Sequence, residues 1–231
     1  MRLHTRQWGA GDRVAVLVHG IMADHHTWDP LVPVLTAEGY RVVAVDLRGH
    51  GRSPRGRYTP GDFADDLVDT LPAGPELTVG HSLGALAVAL AVGRLRPARA
   101  VYVEPAWRLG GPDGTLDPAS FALLKRVPRL LMKTFRPEWD GDRAAAELRA
   151  VRAWDENSAL TLSQYRDVDH TPDEPLVPSL VQAADPSSLV SPENRRDLTR
   201  RGFEVRTLPG ASHAPHRDQF DMFLESLKGW L

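Results

Sequence analysis

Residues 76–90 read ELTVGHSLGALAVAL, and this stretch decides the fold class. An apolar run from Glu76 leads into Gly80-His81-Ser82-Leu83-Gly84, and a strong helix-forming segment, Ala85 to Leu90, follows directly. A G-x-S-x-G pattern between a strand and a helix forms a tight turn that lifts the serine hydroxyl above the sheet, at the positive end of the helix dipole. The pattern predicts that Ser82 is a nucleophile; the alternative is a plain turn with an N-capping serine.

Similar apolar runs that end in turn residues recur along the chain and alternate with helical patterns, two of which are Thr27 to Glu38 and His216 to Trp230. The runs are Arg13 to His19, Arg41 to Asp46, Glu76 to Gly80, Ala98 to Glu104, Pro178 to Ala184 and Phe203 to Leu208. Runs this apolar are typical of strands buried on both faces. The sequence therefore predicts an α/β fold with a mostly parallel sheet flanked by helices. Arg2 to Trp8 is expected to form an antiparallel edge hairpin with the first buried strand.

The alternation stops between about Pro105 and Pro178, where the chain carries helical patterns and no convincing buried strand. Gly-rich and Pro-rich segments bound this stretch, as expected where a subdomain joins a sheet. We therefore expect a core domain formed by residues 1–104 and 178–231, and an inserted helical cap formed by residues 105–177. A large loop with surface helices is the alternative.

A serine needs a base to accept its proton, and the base needs an acid to orient it. His213 lies in a loop after the last apolar run and is the candidate base, with His216 as its competitor. Asp185 follows the Pro178 to Ala184 run, at the edge of the sheet where catalytic groups collect, and is the candidate acid. Glu104 ends the preceding run and is the alternative acid.

An oxyanion hole requires two backbone N–H groups directed at the developing negative charge. The N–H of Leu83, directly after the serine, is the first candidate. The second is expected from the loop after the first buried strand, where His19-Gly20-Ile21-Met22 places a glycine at the turn. Ile21 is the preferred donor and Met22 the alternative.

These features occur together in an order that resembles the α/β-hydrolase superfamily, in particular its esterase, haloperoxidase and C–C hydrolase group. The resemblance rests on His19-Gly20, the segment DLRGHGRS at 46–53, the Ser82 turn, the Asp185 loop and the loop at 210–213, and it covers essentially the whole chain. It implies that the insertion is a cap over the pocket and that the 46–53 turn is structural. Family members that dehalogenate or open epoxides carry aspartate where this chain has Ser82, so the resemblance favours neither activity.

Aromatic residues in or beside the cap, and those after the oxyanion loop, are candidates for lining the pocket. The candidate substrate-binding residues are Met22, Trp28, Trp107, Phe135, Trp139 and Trp154. The aromatics are equally consistent with packing inside the cap or between cap and core. His25 and His26, with Asp24, lie near the expected site without metal-ligand spacing to any partner, and we expect them to be solvated loop residues.

Composition excludes several classes of protein. The 231 residues carry 28 Lys and Arg against 30 Asp and Glu, so no basic excess favours nucleic acid or an anionic membrane. The chain has no cysteine, which excludes disulfides and thiolate chemistry. Because no phosphate loop, dinucleotide motif or metal cluster is present, we expect no cofactor and no metal. No secretory signal or membrane span is evident at the sequence level, and we expect a soluble, cytoplasmic protein.

The function predicted from the sequence is hydrolysis of a small carboxylic ester, thioester or similarly activated carbonyl through Ser82, His213 and Asp185. The expected partner is a small ester-like substrate. Two alternatives stay open, namely a C–C bond hydrolase or lyase that uses the same residues, and a small-molecule receptor with this fold and little turnover. Sequence alone leaves the oligomeric state open.

Overall fold

The computed structural model describes residues 1–126 and 141–231, and the side chains of all of these except 141–144. Seven strands form one sheet: β1 (Thr5–Trp8), β2 (Arg13–Val18), β3 (Tyr40–Val45), β4 (Leu77–His81), β5 (Arg99–Val103), β6 (Ser179–Asp185) and β7 (Glu204–Pro209). The α-helices of the described ranges are α1 (Val32–Ala37), α2 (Pro60–Thr70), α3 (Leu83–Leu95), α4 (Phe121–Leu124), α5 (Gly141–Ala153), α6 (Asn157–Ser163), α7 (Pro192–Arg200), α8 (Pro215–Asp218) and α9 (Phe220–Glu225).

The strand order is β1-β3-β2-β4-β5-β6-β7, and every pairing except that of β1 is parallel. The predicted α/β class is thereby confirmed. The prediction of a leading hairpin is wrong, because β1 pairs antiparallel with β3, Thr5 opposite Val45, and not with β2. A Cβ on Gly11 would lie 1.9 Å from the carbonyl oxygen of Gly39, so the segment that joins β1 to β2 passes directly against the residue before β3.

The core consists of two apolar layers, one on each face of the sheet. Along β2, Val14, Val16 and Val18 belong to one layer, and Ala15 and Leu17 belong to the other. This alternation follows from the two-residue period of a strand, and both faces are apolar because helices cover both. Helices α2 and α3 pack in the first layer, and α1 and α9 in the second. The buried sheet therefore gives a rigid base for groups at its carboxyl edge.

Two predicted helices are interrupted. The pattern from Thr27 to Glu38 divides into a 3₁₀ turn, His25–Trp28, and the α-helix Val32–Ala37, with Pro30 between them. Proline lacks the N–H that a continuous helix needs at that position. The C-terminal pattern from His216 is also divided, into α8 and α9, with Gln219 between the two helices.

The chain between β5 and β6 carries helices α4, α5 and α6 and a 3₁₀ turn, Pro118–Ser120. Outside the seven strands, one isolated antiparallel bridge joins Arg108 to Asp169 near the two ends of this stretch. Asp155 attaches the stretch to the core, because its N–H donates to the Gly49 carbonyl at 2.7 Å and its carboxylate accepts from the Tyr58 hydroxyl at 2.6 Å. Among the described residues, no helix is both long and apolar enough to cross a membrane.

Candidate active site

Ser82 lies between β4 and α3 with φ 52° and ψ −115°, a conformation that L-residues rarely adopt. The two glycines of the motif are required by close backbone contacts. A Cβ on Gly84 would lie 2.4 Å from the carbonyl oxygens of Val18 and His19, and a Cβ on Gly80 would lie 2.8 Å from the Cα of Ala85. The helix and two strands meet too closely for larger residues, and the turn that results presents Ser82 at the carboxyl edge of the sheet.

Backbone strain is concentrated at this edge. The non-glycine residues with positive φ in the described part of the chain are Met22, Ser82, Arg96 and Glu104, and all but Arg96 lie where β2, β4 or β5 ends. Arg96 instead ends helix α3 in the left-handed conformation. Each such residue costs roughly 1–3 kcal/mol, which the surrounding packing must offset. Strain of this kind is typical of a functional site.

Glu104 and His213 lie next to each other at this edge. The Oε2 atom of Glu104 is 3.2 Å from Nδ1 of His213, and the Glu104 carboxylate is completely buried. Its Oε1 accepts the backbone N–H of Ala184 at 2.8 Å, and its Oε2 also accepts the Ser187 hydroxyl at 2.9 Å. A buried carboxylate held by these donors can fix the orientation and tautomer of the imidazole.

The structure does not place Asp185 beside His213, where the predicted orienting acid would lie. Asp185 ends β6, but its side chain is 51% exposed and lies 3.4 Å from the guanidinium of Arg195. Glu104, the alternative that the sequence left open, has the position opposite His213. Both residues end parallel strands at the same edge of the sheet, so strand endings alone did not distinguish them.

The competing histidine, His216, has a different environment. It is buried, its Nε2 lies 3.1 Å from the Thr27 hydroxyl, and its ring stacks on Trp28 at 4.5 Å. His81 lies between the two histidine rings, 4.8 Å from that of His213, and its Nε2–H donates to the backbone carbonyl of His213 at 2.8 Å. Burial lowers the pKa of His81 well below its usual value, and the neighbouring His216 and His213 lower it further. His81 is therefore neutral and supports the His213 loop.

The loop after β2 forms a turn that lies directly beside Ser82. Ala23 donates its N–H to the Gly20 carbonyl at 3.4 Å, and Met22 has φ 63°. A side chain on Gly20 would collide with the His81 ring at 2.8 Å and would lie 3.1 Å from the Ser82 Cβ. Ile21, Met22 and Leu83 all line the same cavity as Ser82, which is where oxyanion donors are needed.

This cavity, called the Ser82 cavity below, has a volume of about 370 Å³. Ser82 and His213 both line it, and the stretch between β5 and β6 contributes much of its wall. The apolar side chains of that wall were not identified from the sequence, because leucine at helical spacing looks the same in a pocket as in a core. They are Ala106, Leu109, Leu116, Pro118, Phe121, Leu124 and Leu162.

Of the predicted substrate-binding residues, Met22 lines the Ser82 cavity, whereas the described tryptophans do not. Trp28 is fully buried beneath His216, Trp107 packs against Tyr102 at 5.1 Å and Phe203 at 5.7 Å, and Trp154 is fully buried with its indole N–H bonded to Ser158. These three tryptophans are core residues, because their rings fill the junctions between elements. Phe135 and Trp139 lie outside the described residues.

The expectation that His25 is solvated is wrong. His25 is buried, and its backbone N–H and Nδ1 lie 2.9 and 2.7 Å from Oδ1 of Asp46. Burial by itself raises the pKa of Asp46, but the hydrogen bond from His25 and its other partners outweigh burial and hold that pKa well below the usual range. Arg52 donates its N–H to the second carboxylate oxygen at 2.9 Å, so Asp46 organises the 46–53 turn, in line with its predicted structural role.

His4 and Asp24 bring further donor atoms to this neighbourhood. Potential ligand atoms of His4, His25 and Asp46 lie within 4.8 Å of one another, as do those of Asp24, His25 and His26. His25 belongs to both groups and already engages Asp46. The contacts of this cluster are consistent with a structural hydrogen-bond network beside the cavity.

Comparison with known proteins agrees with this architecture. The model of the alpha/beta hydrolase family matches residues 15–225. An epoxide hydrolase of Caballeronia sordidicola is 29% identical over 183 residues, which is 73% of this chain and 54% of that protein. The 2-(acetamidomethylene)succinate hydrolase of Mesorhizobium japonicum is 39% identical over 88 residues, 36% of this chain and 31% of that protein. The chain thus matches only about a third to a half of the length of these relatives.

Solved structures show the same fold over nearly the whole chain. The enol-lactonase from Burkholderia xenovorans LB400 superposes with a TM-score of 0.77 at 24% identity, covering 98% of this chain and 95% of that one. An esterase from Exiguobacterium antarcticum gives a TM-score of 0.76 at 17% identity, covering 99% and 94%. At these identities the likeness concerns the fold.

Proposed function

The chain belongs to the alpha/beta hydrolase family, and from that premise we propose that it is a serine hydrolase acting on a small carboxylic ester or thioester. In this proposal Ser82 is the nucleophile, His213 the general base and Glu104 the acid that orients His213. The insertion between β5 and β6 forms the cap that covers the bound acyl group. No metal or cofactor takes part.

The single observation that carries the proposal is the contact between Glu104 and His213 at a cavity that Ser82 also lines. A carboxylate at Nδ1 holds the imidazole with its proton on that nitrogen, which leaves Nε2 unprotonated and able to accept a proton. Strain at Ser82 and the fixed glycines around it present the hydroxyl to the same space. A nucleophile and an oriented base are what acyl transfer requires.

The reaction has two halves. His213 takes the Ser82 proton as the serine oxygen attacks the carbonyl carbon, and the tetrahedral intermediate then releases the alcohol or thiol, which receives that proton from His213. In the second half, His213 takes a proton from water, the hydroxide attacks the acyl-enzyme, and Ser82 leaves with the proton. The N–H groups of Leu83 and Ile21 stabilise the oxyanion in both halves.

Similar proteins whose names state an activity support this reaction class. The esterase and the enol-lactonase that share the fold are named for cleaving an ester or a lactone. Ser82 at the nucleophile position argues against the epoxide chemistry named for the Caballeronia relative, since the sequence resemblance places aspartate there in epoxide-opening members. Ester cleavage is therefore preferred.

The test is hydrolysis of 4-nitrophenyl acetate, butyrate and hexanoate by the wild-type protein and by Ser82→Ala. Loss of the nucleophile in a triad typically lowers kcat by about 10⁴ to 10⁶-fold, so Ser82→Ala should be close to inactive. Ser191→Ala is a matched control, since it removes a serine hydroxyl from the N-terminus of α7, away from the cavity. Intact-mass analysis after treatment with a fluorophosphonate should show one adduct on the wild type and none on Ser82→Ala. Ligand binding without turnover or adduct would instead indicate a receptor.

A further inference from the structure

Arg217 is the feature of the Ser82 cavity that the proposed reaction does not use. Among the described residues that line this cavity, it is the only one with a permanent charge. It lies in α8, four residues after His213, and its side chain is only 13% exposed. A buried guanidinium facing an acyl cavity would ordinarily indicate a site for a substrate carboxylate.

The guanidinium is already paired, however. Its Nη1 lies 2.5 Å from Oε2 of Glu147, which is carried by α5 of the insertion and is 11% exposed. Because both groups are largely removed from water, their attraction is weakly screened. The positive charge of Arg217 is therefore neutralised from within the protein.

Glu147 approaches Arg217 from a second cavity, of about 380 Å³, that lies on the other side of the pair. Ala23 and Arg217 line both cavities, whereas Glu147 lines only the second. The second cavity is also lined by the carboxylates Asp24 and Asp29. The ion pair thus lies where the two cavities adjoin, and Asp24, Asp29 and Glu147 line the second cavity but not the Ser82 cavity.

We propose that the Glu147–Arg217 ion pair makes the Ser82 cavity selective for esters of neutral, apolar acyl groups and excludes acyl groups that end in a carboxylate. The inference rests on the proposed function and adds the substrate class. An anionic acyl group would lose its hydration among Leu109, Phe121 and Leu124, and it would find the cation of the wall already occupied by Glu147. A neutral branched chain of the same shape has no such penalty and gains from apolar burial.

The first measurement compares two esters that match in shape and differ in charge. The acyl groups are 4-methylpentanoyl, which ends in an isopropyl group, and hemisuccinyl, which ends in a carboxylate of similar size, both as 4-nitrophenyl esters. At pH 7.5 the wild-type protein should hydrolyse the neutral ester with a kcat/KM at least about tenfold higher, since an unpaired buried charge is strongly disfavoured. Equal rates, or a preference for the hemisuccinyl ester, would overturn the inference.

The second measurement removes the negative charge that Glu147 places on Arg217. Glu147→Gln keeps the shape of the side chain and makes the wall of the cavity more positive by one charge, which favours a substrate carboxylate. The ratio of kcat/KM for the hemisuccinyl ester to that for the neutral ester should rise by about tenfold or more, since hydrogen bonds to charged groups are strong. In the double variant Glu147→Gln/Arg217→Gln this gain should disappear. A variant ratio equal to that of the wild type would contradict the proposal.

The ratio of the two kcat/KM values distinguishes an effect on substrate selectivity from a loss of folded structure. The ion pair also joins α5 to α8, so losing it through Glu147→Gln could slow both esters, but a purely structural loss would slow them equally. Glu225→Gln is the matched control for removal of a negative charge, since Glu225 pairs with Lys228 on an exposed surface and its side chain is 65% exposed. Its ratio should equal that of the wild type.

A binding measurement keeps the inference distinct from the proposed function. The 4-nitroanilides of the same two acids are poor substrates and can be titrated into the wild-type protein at equilibrium. The neutral anilide should bind at least about tenfold more tightly than the anionic one, and Glu147→Gln should reduce that difference. If neither ester is hydrolysed but the anilides show this preference, the hydrolase proposal fails and the selectivity stands. If both esters are hydrolysed and the anilides bind equally, the selectivity fails alone.

Discussion

The carboxylate of Glu104 lies 3.2 Å from Nδ1 of His213, and these two residues are 109 positions apart in the chain. Glu104 follows β5 with φ 46°, and His213 follows β7, two strands away in the sheet. The intervening strand, β6, contributes the Ala184 N–H that holds the other oxygen of Glu104. The sheet therefore positions the acid through its backbone, while the loop after β7 brings the histidine to it.

This relationship predicts that Glu104→Gln lowers kcat far more than Asp185→Asn does. An amide in place of the carboxylate favours the wrong imidazole tautomer and cannot stabilise the imidazolium, an effect of about 10⁴-fold for the corresponding aspartate of serine proteases. Asp185→Asn changes an exposed group and should alter kcat by no more than a few-fold. Steady-state kinetics with 4-nitrophenyl butyrate measure both.

Far-UV circular dichroism should show that both variants are folded, because each replacement keeps the shape of the side chain. The Oε1 atom of Glu104 also accepts the backbone N–H of Ala184, and an amide oxygen at that position can still do so. If Asp185→Asn proves the more damaging of the two, the assignment of the acid to Glu104 is wrong.

A second prediction concerns the apolar wall of the Ser82 cavity. Phe121→Ala should reduce the preference for hexanoate over acetate esters by about 10 to 200-fold, because a contact remote from the carbonyl helps only acyl chains long enough to reach it. Phe220→Ala provides the control, since Phe220 is also partly buried but packs in the apolar layer beneath the opposite face of the sheet. The measurement is kcat/KM against chain length, and an equal loss at every length would show that Phe121 does not select the acyl group.

The structure also predicts the role of Trp154. Its ring is fully buried, and its indole N–H donates to Ser158 at 2.6 Å, so Trp154→Ala should lower the free energy of unfolding by about 3–5 kcal/mol. Leu160→Ala, at a 47% exposed position on neighbouring α6, should have a small effect. Urea denaturation followed by circular dichroism gives both values. A nearly neutral Trp154→Ala accompanied by a changed acyl preference would restore its predicted place in the pocket.

A fourth prediction concerns the pH dependence of stability. Burial and, to a lesser extent, the neighbouring His19 lower the pKa of His50 to about 3, whereas an unfolded histidine titrates near 6.5. Between these pH values the unfolded chain binds a proton at His50 that the native protein does not bind. The contribution of His50 to the free energy of unfolding is therefore full above pH 6.5 and is lost as the pH falls toward 3. The slope from this residue is up to about 1.4 kcal/mol per pH unit.

Urea denaturation between pH 7 and pH 4.5 should therefore show the unfolding free energy falling with pH, less steeply in His50→Gln than in the wild type. Glutamine keeps a hydrogen-bond donor for the Arg48 carbonyl, which the His50 ring contacts at 2.8 Å, and it does not titrate. If the unfolding free energy changed with pH equally in the two proteins, His50 would be protonated to the same extent in the native and unfolded states.

Local sequence predicted most of the sheet, because its evidence lies in short segments. Both faces of β2 through β6 are buried, so each reads as a continuous apolar run whatever its neighbours are. The Ser82 turn could also be predicted from the sequence. Its two glycines are required by close contacts, either within a few residues or with the adjoining strand. The pairing of β1 could not, because four alternating residues fit either β2 or β3, and only the assembled sheet shows that β3 and β4 already occupy both edges of β2.

Pocket and core could not be separated in the same way. Leu109 and Leu124 line the cavity, while Trp107 and Trp154 are buried and do not line it, although all four lie in the same insertion. Apolar spacing shows that a side chain leaves water, but it does not show whether protein atoms or a ligand replace the water. The pairing of Glu147 with Arg217 was equally invisible, since the two residues are 70 positions apart.

The sequence by itself determined the parallel sheet and the position of Ser82 on a strained turn, because each depends on side-chain periodicity or on glycines within a few residues. Only the tertiary structure decided which of the two carboxylates lies against His213 and that Arg217 is paired with Glu147. Glu104 and Asp185 both end parallel strands, and what separates them is burial: one is enclosed by β6 and the His213 loop, the other faces water and Arg195. Burial and charge pairing arise from segments far apart in the chain, so they exist only once the fold has brought those segments together.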